Sequence, residues 1–162
     1  MDVLQIIKQD HQAILAGLLK LGAEKTVKAR RSAVKQLSEE LLLHLHIEDA
    51  YVFPEVSGLF GDSDAFTALS LANHSLLRKD LNKLTKLVSL PLANQSGYAQ
   101  LVNAIASRAE KHFKLEEELL LPQMRKLIRT QDREDLGLVI LDVKSEGFVA
   151  LPATSPQRRK RA

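Results

Sequence analysis

An approximate internal repeat constrains this chain more than any other feature. His44-x3-Glu48-x5-Pro54 recurs as His112-x3-Glu116-x5-Pro122, and in each copy a second acid, Asp49 or Glu117, directly follows the Glu. A His and a Glu four residues apart share one helix face, and a single such pair is ordinarily a solvated surface pair. Phase argues otherwise for this set. Stepping by three and four through the first copy gives Val34, Leu37, Leu41, His44, Glu48 and Tyr51; the second gives Ile105, His112, Leu115, Glu116 and Leu119, interrupted by Arg108. The His and the carboxylate therefore occupy the stripe that otherwise faces a core.

The rest of the chain reads as helix. Aromatic residues make up 4% of the composition, and seven Gly and five Pro are all that punctuate it, which suits Leu, Ile, Val and Ala helices better than a sheet. The first helix is predicted over residues 2–21, with Gly22 as its stop, and the second over 27–55. Gly58, Gly61, Asp62 and Ser63 form a turn, with Asp62 or Ser63 as N-cap for a third helix over 64–88. Pro91, Asn94, Gln95, Ser96 and Gly97 make the next loop, and a fourth helix follows over 97–129. A shorter fifth is predicted over 132–144, with Thr130 as a cap. Long helices joined by short loops make antiparallel neighbours. The expected fold is all-α, an up-down-up-down four-helix bundle over residues 1–146 with the fifth helix appended. Residues 147–162, with Pro152, Pro156 and a basic run, are predicted to be a disordered tail.

Helices 1 and 3 each add one histidine in core phase. His11 lies in the series Leu4, Ile7, His11, Ile14, Leu18, and His74 leads Leu77, Leu81 and Leu84. Four imidazoles and two carboxylates thus converge on the bundle axis. An unpaired buried carboxylate costs several kcal/mol and each unsatisfied neutral polar group about 1–3 kcal/mol, enough together to cancel a domain's net stability of about 5–15 kcal/mol. A bound cation offsets that cost. With no cysteine in the chain, thiolate zinc and iron–sulfur sites are excluded, and the ligands must be nitrogen and oxygen. Zinc prefers four tetrahedral ligands, whereas this set suits two first-row transition metals such as iron, with carboxylates bridging and imidazoles terminal. Two octahedral irons need about twelve bonds; these six residues and a shared oxo or hydroxo group supply about ten, leaving about two positions for a small molecule. Ferritin-like di-iron bundles use Glu-x-x-His, and no His here has a Glu three residues before it. His46 lies off the stripe and reads as an outward or outer-layer residue. Tyr51 reads as packing with its hydroxyl satisfied or as a support to the site, and Asp49 and Glu117 as solvated or supporting acids.

The net charge of +3 excludes less than it suggests. Arg158, Arg159, Lys160 and Arg161 stand together at the end, and without them 19 basic residues face 20 acidic ones, a body of about −1. Basic and acidic residues alternate along the helices, which argues against a nucleic-acid-binding surface. No apolar run reaches the roughly 18–20 residues of a membrane span. The N-terminal residues lack the basic region of a signal peptide, so a cytoplasmic protein is expected.

These residues resemble the hemerythrin-like, or HHE cation-binding, family over roughly residues 4–145. The resemblance is carried by Asp10-His11; by the run from His44 through His46, Glu48, Asp49 and Tyr51 to Pro54; by Asn73-His74 with Leu77 and Leu81; and by His112 through Glu116 and Glu117 to Pro122. It implies an antiparallel four-helix bundle around two non-haem iron ions, oxo- or hydroxo- and carboxylate-bridged, with His11, His44, Glu48, His74, His112 and Glu116 as ligands.

One position departs from the oxygen carriers of that family, which have a further His four residues after the helix 3 ligand. Here that residue is Arg78. The departure points away from reversible oxygen carriage and towards binding, sensing or scavenging of dioxygen, nitric oxide or peroxide, or iron handling. Alternatives are an enzyme of oxidative or nitrosative stress defence, turning over peroxide or nitric oxide or repairing iron–sulfur clusters, and a metal-responsive interaction module. Cluster-repair relatives usually carry a cysteine-bearing N-terminal segment, which weakens that alternative.

Overall fold

A computed structural model describes residues 1–57 and 64–146 of the chain. Among them every regular element is helical: α1 (Val3–Ala23), α2 (Val27–Ile47), α3 (Phe53–Val56), α4 (Asp64–Val88), α5 (Tyr98–Leu115), α6 (Leu121–Leu127) and α7 (Thr130–Glu146), with a 3₁₀ turn at Leu92–Asn94. The predicted turn and cap at Gly58, Gly61, Asp62 and Ser63, and the predicted tail from residue 147, lie outside the described residues.

The helix starts follow from local chemistry. Asp2 caps α1 by accepting from the Leu4 backbone N–H at 2.9 Å, and Thr26 caps α2 by accepting from Ala29 at 3.1 Å. Gly97 precedes α5 at φ 91°, a left-handed conformation that favours glycine. Gly22 does not stop α1. The helix runs through Ala23 and ends where Glu24 turns extended.

Helices α1, α2, α4 and α5 form a closed ring in which α1 packs on α2 and α5, and α4 packs on α2 and α5. The predicted four-helix bundle is the fold. α7 lies outside this ring against α1 and is longer by two residues at each end than the sequence suggests. Two apolar clusters fill the bundle. One contains Ile14, Leu18, Leu41, Leu81 and Ile105, the other Ile7, Ile47, Val52, Phe53 and Leu120. The histidines at 11, 44 and 112 fall between them along their helices, so a polar layer is enclosed by apolar residues on both sides.

Each of the two longest predicted helices is interrupted. α2 passes into a π-helical turn at Glu48–Val52 before α3, and α5 into one at Glu116–Leu120 before α6. In each, the residue before the repeat's proline donates its N–H five residues back: Phe53 to the Glu48 carbonyl and Leu121 to the Glu116 carbonyl. Pro54 and Pro122 have no N–H to give, and their rings crowd the preceding turn. Widening that turn by one residue keeps the chain helical past them. It also shifts the phase beyond Glu48, so Tyr51 leaves the predicted stripe. Tyr51 is half-buried and meets the His46 ring edge-on at 6.2 Å.

Candidate metal centre

α1 and α4 each deliver one histidine to the enclosed layer. α2 and α5 each deliver a histidine in their last turn and a glutamate at the start of the π turn. His11, His44, Glu48, His74, His112 and Glu116 are all buried, none more than 2% exposed. They form two overlapping groups. His11 and His44 gather with both glutamates, and His74 and His112 gather with the same two.

The glutamates lie between the histidine pairs. Glu48 Oε2 is 3.4 Å from His44 Nε2 and 3.3 Å from His74 Nε2. Glu116 Oε2 is 3.4 Å from His11 Nε2, and its Oε1 is 3.3 Å from His112 Nε2. These contacts leave the cluster unsatisfied. His11 Nε2, both ring nitrogens of His44, His112 Nδ1 and all four oxygens of Glu48 and Glu116 are buried with no hydrogen-bond partner among the described residues. Orphaned polar atoms are rare in protein interiors. Eight in one layer, all nitrogen or carboxylate oxygen, are the donor set a metal cation completes.

Electrostatics point the same way. Burial alone would raise the Glu48 carboxyl, but the imidazoles of His44, His74 and His11 outweigh it and hold the group at about 2. Burial and the neighbouring Glu48 charge push Glu116 well above the usual carboxylate range. Burial pushes His11 down to about 4 and His112 down to about 3. Two like charges this close cannot both persist without a cation between them.

The family model of the hemerythrin HHE cation-binding domain matches residues 2–124. The chain belongs to that family. No curated protein and no solved structure gives a match. The hemerythrin match ends within α6, so α7 is an addition to the region it covers.

Around the hemerythrin cluster lies a layer of carboxylates, and its members Asp49 and Glu117 support the site rather than face solvent alone. Asp49 Oδ1 meets His74 Nδ1 at 2.6 Å, and Glu117 Oε1 meets His11 Nδ1 at 2.8 Å. Each acid thus buttresses a histidine on another helix. The bond fixes the ring's orientation and turns its Nε2 inward. Asp49 also accepts from Arg78 at 2.5 Å, and together the His74 and Arg78 partners outweigh burial and lower its carboxyl. His74 in turn is raised, because Asp49 and Glu48 outweigh its burial. Asp10 sits beside His44, with Oδ2 3.6 Å from Nδ1. Its place in the motif beside His11 was visible, but its partner on another helix was not. Phe113 is a further residue the sequence did not single out. Its ring stacks on His11 at 4.1 Å and 8°, fixing the plane of that imidazole. His46 stays outside both groups.

Proposed function

We propose that His11, His44, Glu48, His74, His112 and Glu116 hold two iron ions, each bound by two histidines and both bridged by the two glutamates. The observation that carries this reading is the overlap of the two buried groups in both carboxylates. A one-metal site has no use for a second histidine pair across the same glutamates. Nitrogen and oxygen donors without thiolate suit iron among first-row metals. The metal-binding unit is residues 1–146, because α7 is tied back to α1 through Arg133–Asp2 and Lys144–Asp10 ion pairs.

The protein then binds, senses or scavenges dioxygen, nitric oxide or peroxide, or handles iron. Bound iron supplies Lewis-acid and redox chemistry for such molecules. The chain's own residues do the rest. Hydrogen bonds to Asp49 and Glu117 hold the His74 and His11 imidazoles in orientation, and the Asp10 carboxylate faces His44 at 3.6 Å. The apolar clusters on either side exclude water. Arg78 occupies the position where an oxygen carrier would have another histidine, and its guanidinium is engaged by Asp49. This favours sensing or scavenging over reversible carriage. Among the described residues no helix is long and apolar enough to cross a membrane.

Purification from iron-replete cells, metal analysis and near-ultraviolet absorption test the reading. About two irons per chain with oxo-bridge bands are expected. Less than about one iron per chain after reconstitution would overturn it. Steady-state consumption of peroxide or nitric oxide, lost in Glu116→Ala, would assign turnover rather than binding.

A further inference from the structure

The two halves of the bundle are related by the repeat, and they differ at one point. α1 corresponds to α4 and α2 to α5. Glu117 on the α5 side supports His11 on α1, just as Asp49 on the α2 side supports His74 on α4. By the same correspondence, Asp10 beside His44 should have a counterpart beside His112. That counterpart is Asn73, which precedes His74 as Asp10 precedes His11. A neutral amide stands where the other half has a carboxylate. His112 Nδ1 is buried and unpartnered among the described residues. Among the described residues, His112 is the one imidazole of the four with no carboxylate facing its outer nitrogen.

A groove of about 440 Å³ lies beside it, between α4 and α5, lined by Asn73, Ser107, Arg108, Lys111 and His112. The His112 ring turns its Nε2 towards Glu116 and His74, which leaves Nδ1 on the opposite edge of the ring. Arg108 is held 3.6 Å from Asp80, a carboxylate that already accepts from Lys83 at 2.9 Å. Lys111 makes no ion pair among the described residues and is exposed. The groove therefore sets two cations, a hydroxyl and an amide beside His112, whose orphaned Nδ1 lies buried just beneath its surface.

We infer that this groove binds a small oxyanion, through a carboxylate or phosphate group, that accepts from His112 Nδ1 and takes the place of the carboxylate missing at Asn73. Arg108 and Lys111 supply charge-assisted hydrogen bonds, and Ser107 and Asn73 can donate to the remaining oxygen lone pairs. A ligand here completes the support of the fourth histidine, so its binding and retention of metal at the cluster reinforce one another.

The test uses the full-length protein as purified. Acetate and inorganic phosphate are titrated by calorimetry at constant ionic strength, with chloride as the control anion. A saturable site is expected for acetate or phosphate, and the tighter of the two names the source of the oxyanion. The Arg108→Gln, Lys111→Gln double variant should bind about tenfold or more weakly. Asn73→Asp should no longer bind the anion, and it should lose metal to a chelator as slowly as anion-saturated wild type. Wild type without anion should lose metal faster. Chloride acting as well as acetate and phosphate would overturn the inference, as would unchanged anion binding in either variant. If the chain purifies without metal, the two-iron reading fails, while the calorimetry still decides for or against the groove.

Discussion

Asp10 joins α7 to the buried cluster: Lys144 on α7 donates to its Oδ1, while its Oδ2 faces His44 Nδ1 at 3.6 Å. Both partners outweigh burial and keep the Asp10 carboxyl below its ordinary range. Asp10→Asn removes the charge and keeps the shape, so the fold should survive while His44 loses its anchor. Metal affinity should fall about 10–100-fold, the usual cost of deleting a carboxylate behind a ligating histidine. A competition titration against a chelator reads this, and Lys144→Ala should show a smaller loss of the same sign.

Gly137 controls how closely α7 sits on α1. A Cβ at this position would lie 2.1 Å from the Met1 carbonyl oxygen and 3.2 Å from the Val3 nitrogen, both backbone atoms. Gly137→Ala should therefore push α7 outwards despite alanine's better helix propensity, for a net loss of about 1–3 kcal/mol. Faster proteolysis within α7 and a lower urea midpoint are the expected readings.

Glu116, a ligand in the proposed site, is a burden on the metal-free fold. Burial and the Glu48 charge oppose its ionisation, and both of its oxygens lack hydrogen-bond partners among the described residues. Glu116→Met fills the same space with an apolar chain, so the metal-free protein should be unchanged or up to about 2 kcal/mol more stable. Metal loading should be lost. Thermal melts with and without iron separate the effects: iron should raise Tm in wild type and leave the variant unmoved.

Metal uptake should release protons. Glu116 and His74 both hold their protons above their ordinary ranges in the metal-free protein, and a cation must displace them. The sign follows: apparent metal affinity rises with pH while these groups are still protonated, and falls as pH drops. Calorimetry in buffers of different ionisation enthalpy should find about one or more protons released per chain near neutral pH. No buffer dependence at all would count against Glu116 as a ligand.

Phe113 should matter to both stability and site geometry. It is 1% exposed, belongs to the larger apolar cluster, and stacks on His11. Phe113→Ala should cost about 3–5 kcal/mol, whereas Phe113→Leu should retain most of the stability yet loosen His11. Weaker metal retention in the leucine variant, at a nearly unchanged urea midpoint, is the expected signature.

The sequence by itself determined the bundle and the convergence of four imidazoles and two carboxylates on its interior. The apolar stripe has the period of a helix, and His11, His44, His74 and His112 fall within that stripe, so no knowledge of packing was needed to direct them to the axis. The prolines at 54 and 122 were visible, but the π turns they cause were not, because their effect depends on a helix continuing past them. The tertiary structure decided the pairings. His11 shares its group with His44 and His74 with His112; Asp49 and Glu117 turn to histidines on other helices; Lys144 reaches Asp10 across 134 positions of chain. Helical periodicity fixes only the direction in which a side chain leaves its own axis. Which groups meet depends on the order, separation and rotation of helices around the ring, and these are set by packing between residues far apart in the sequence.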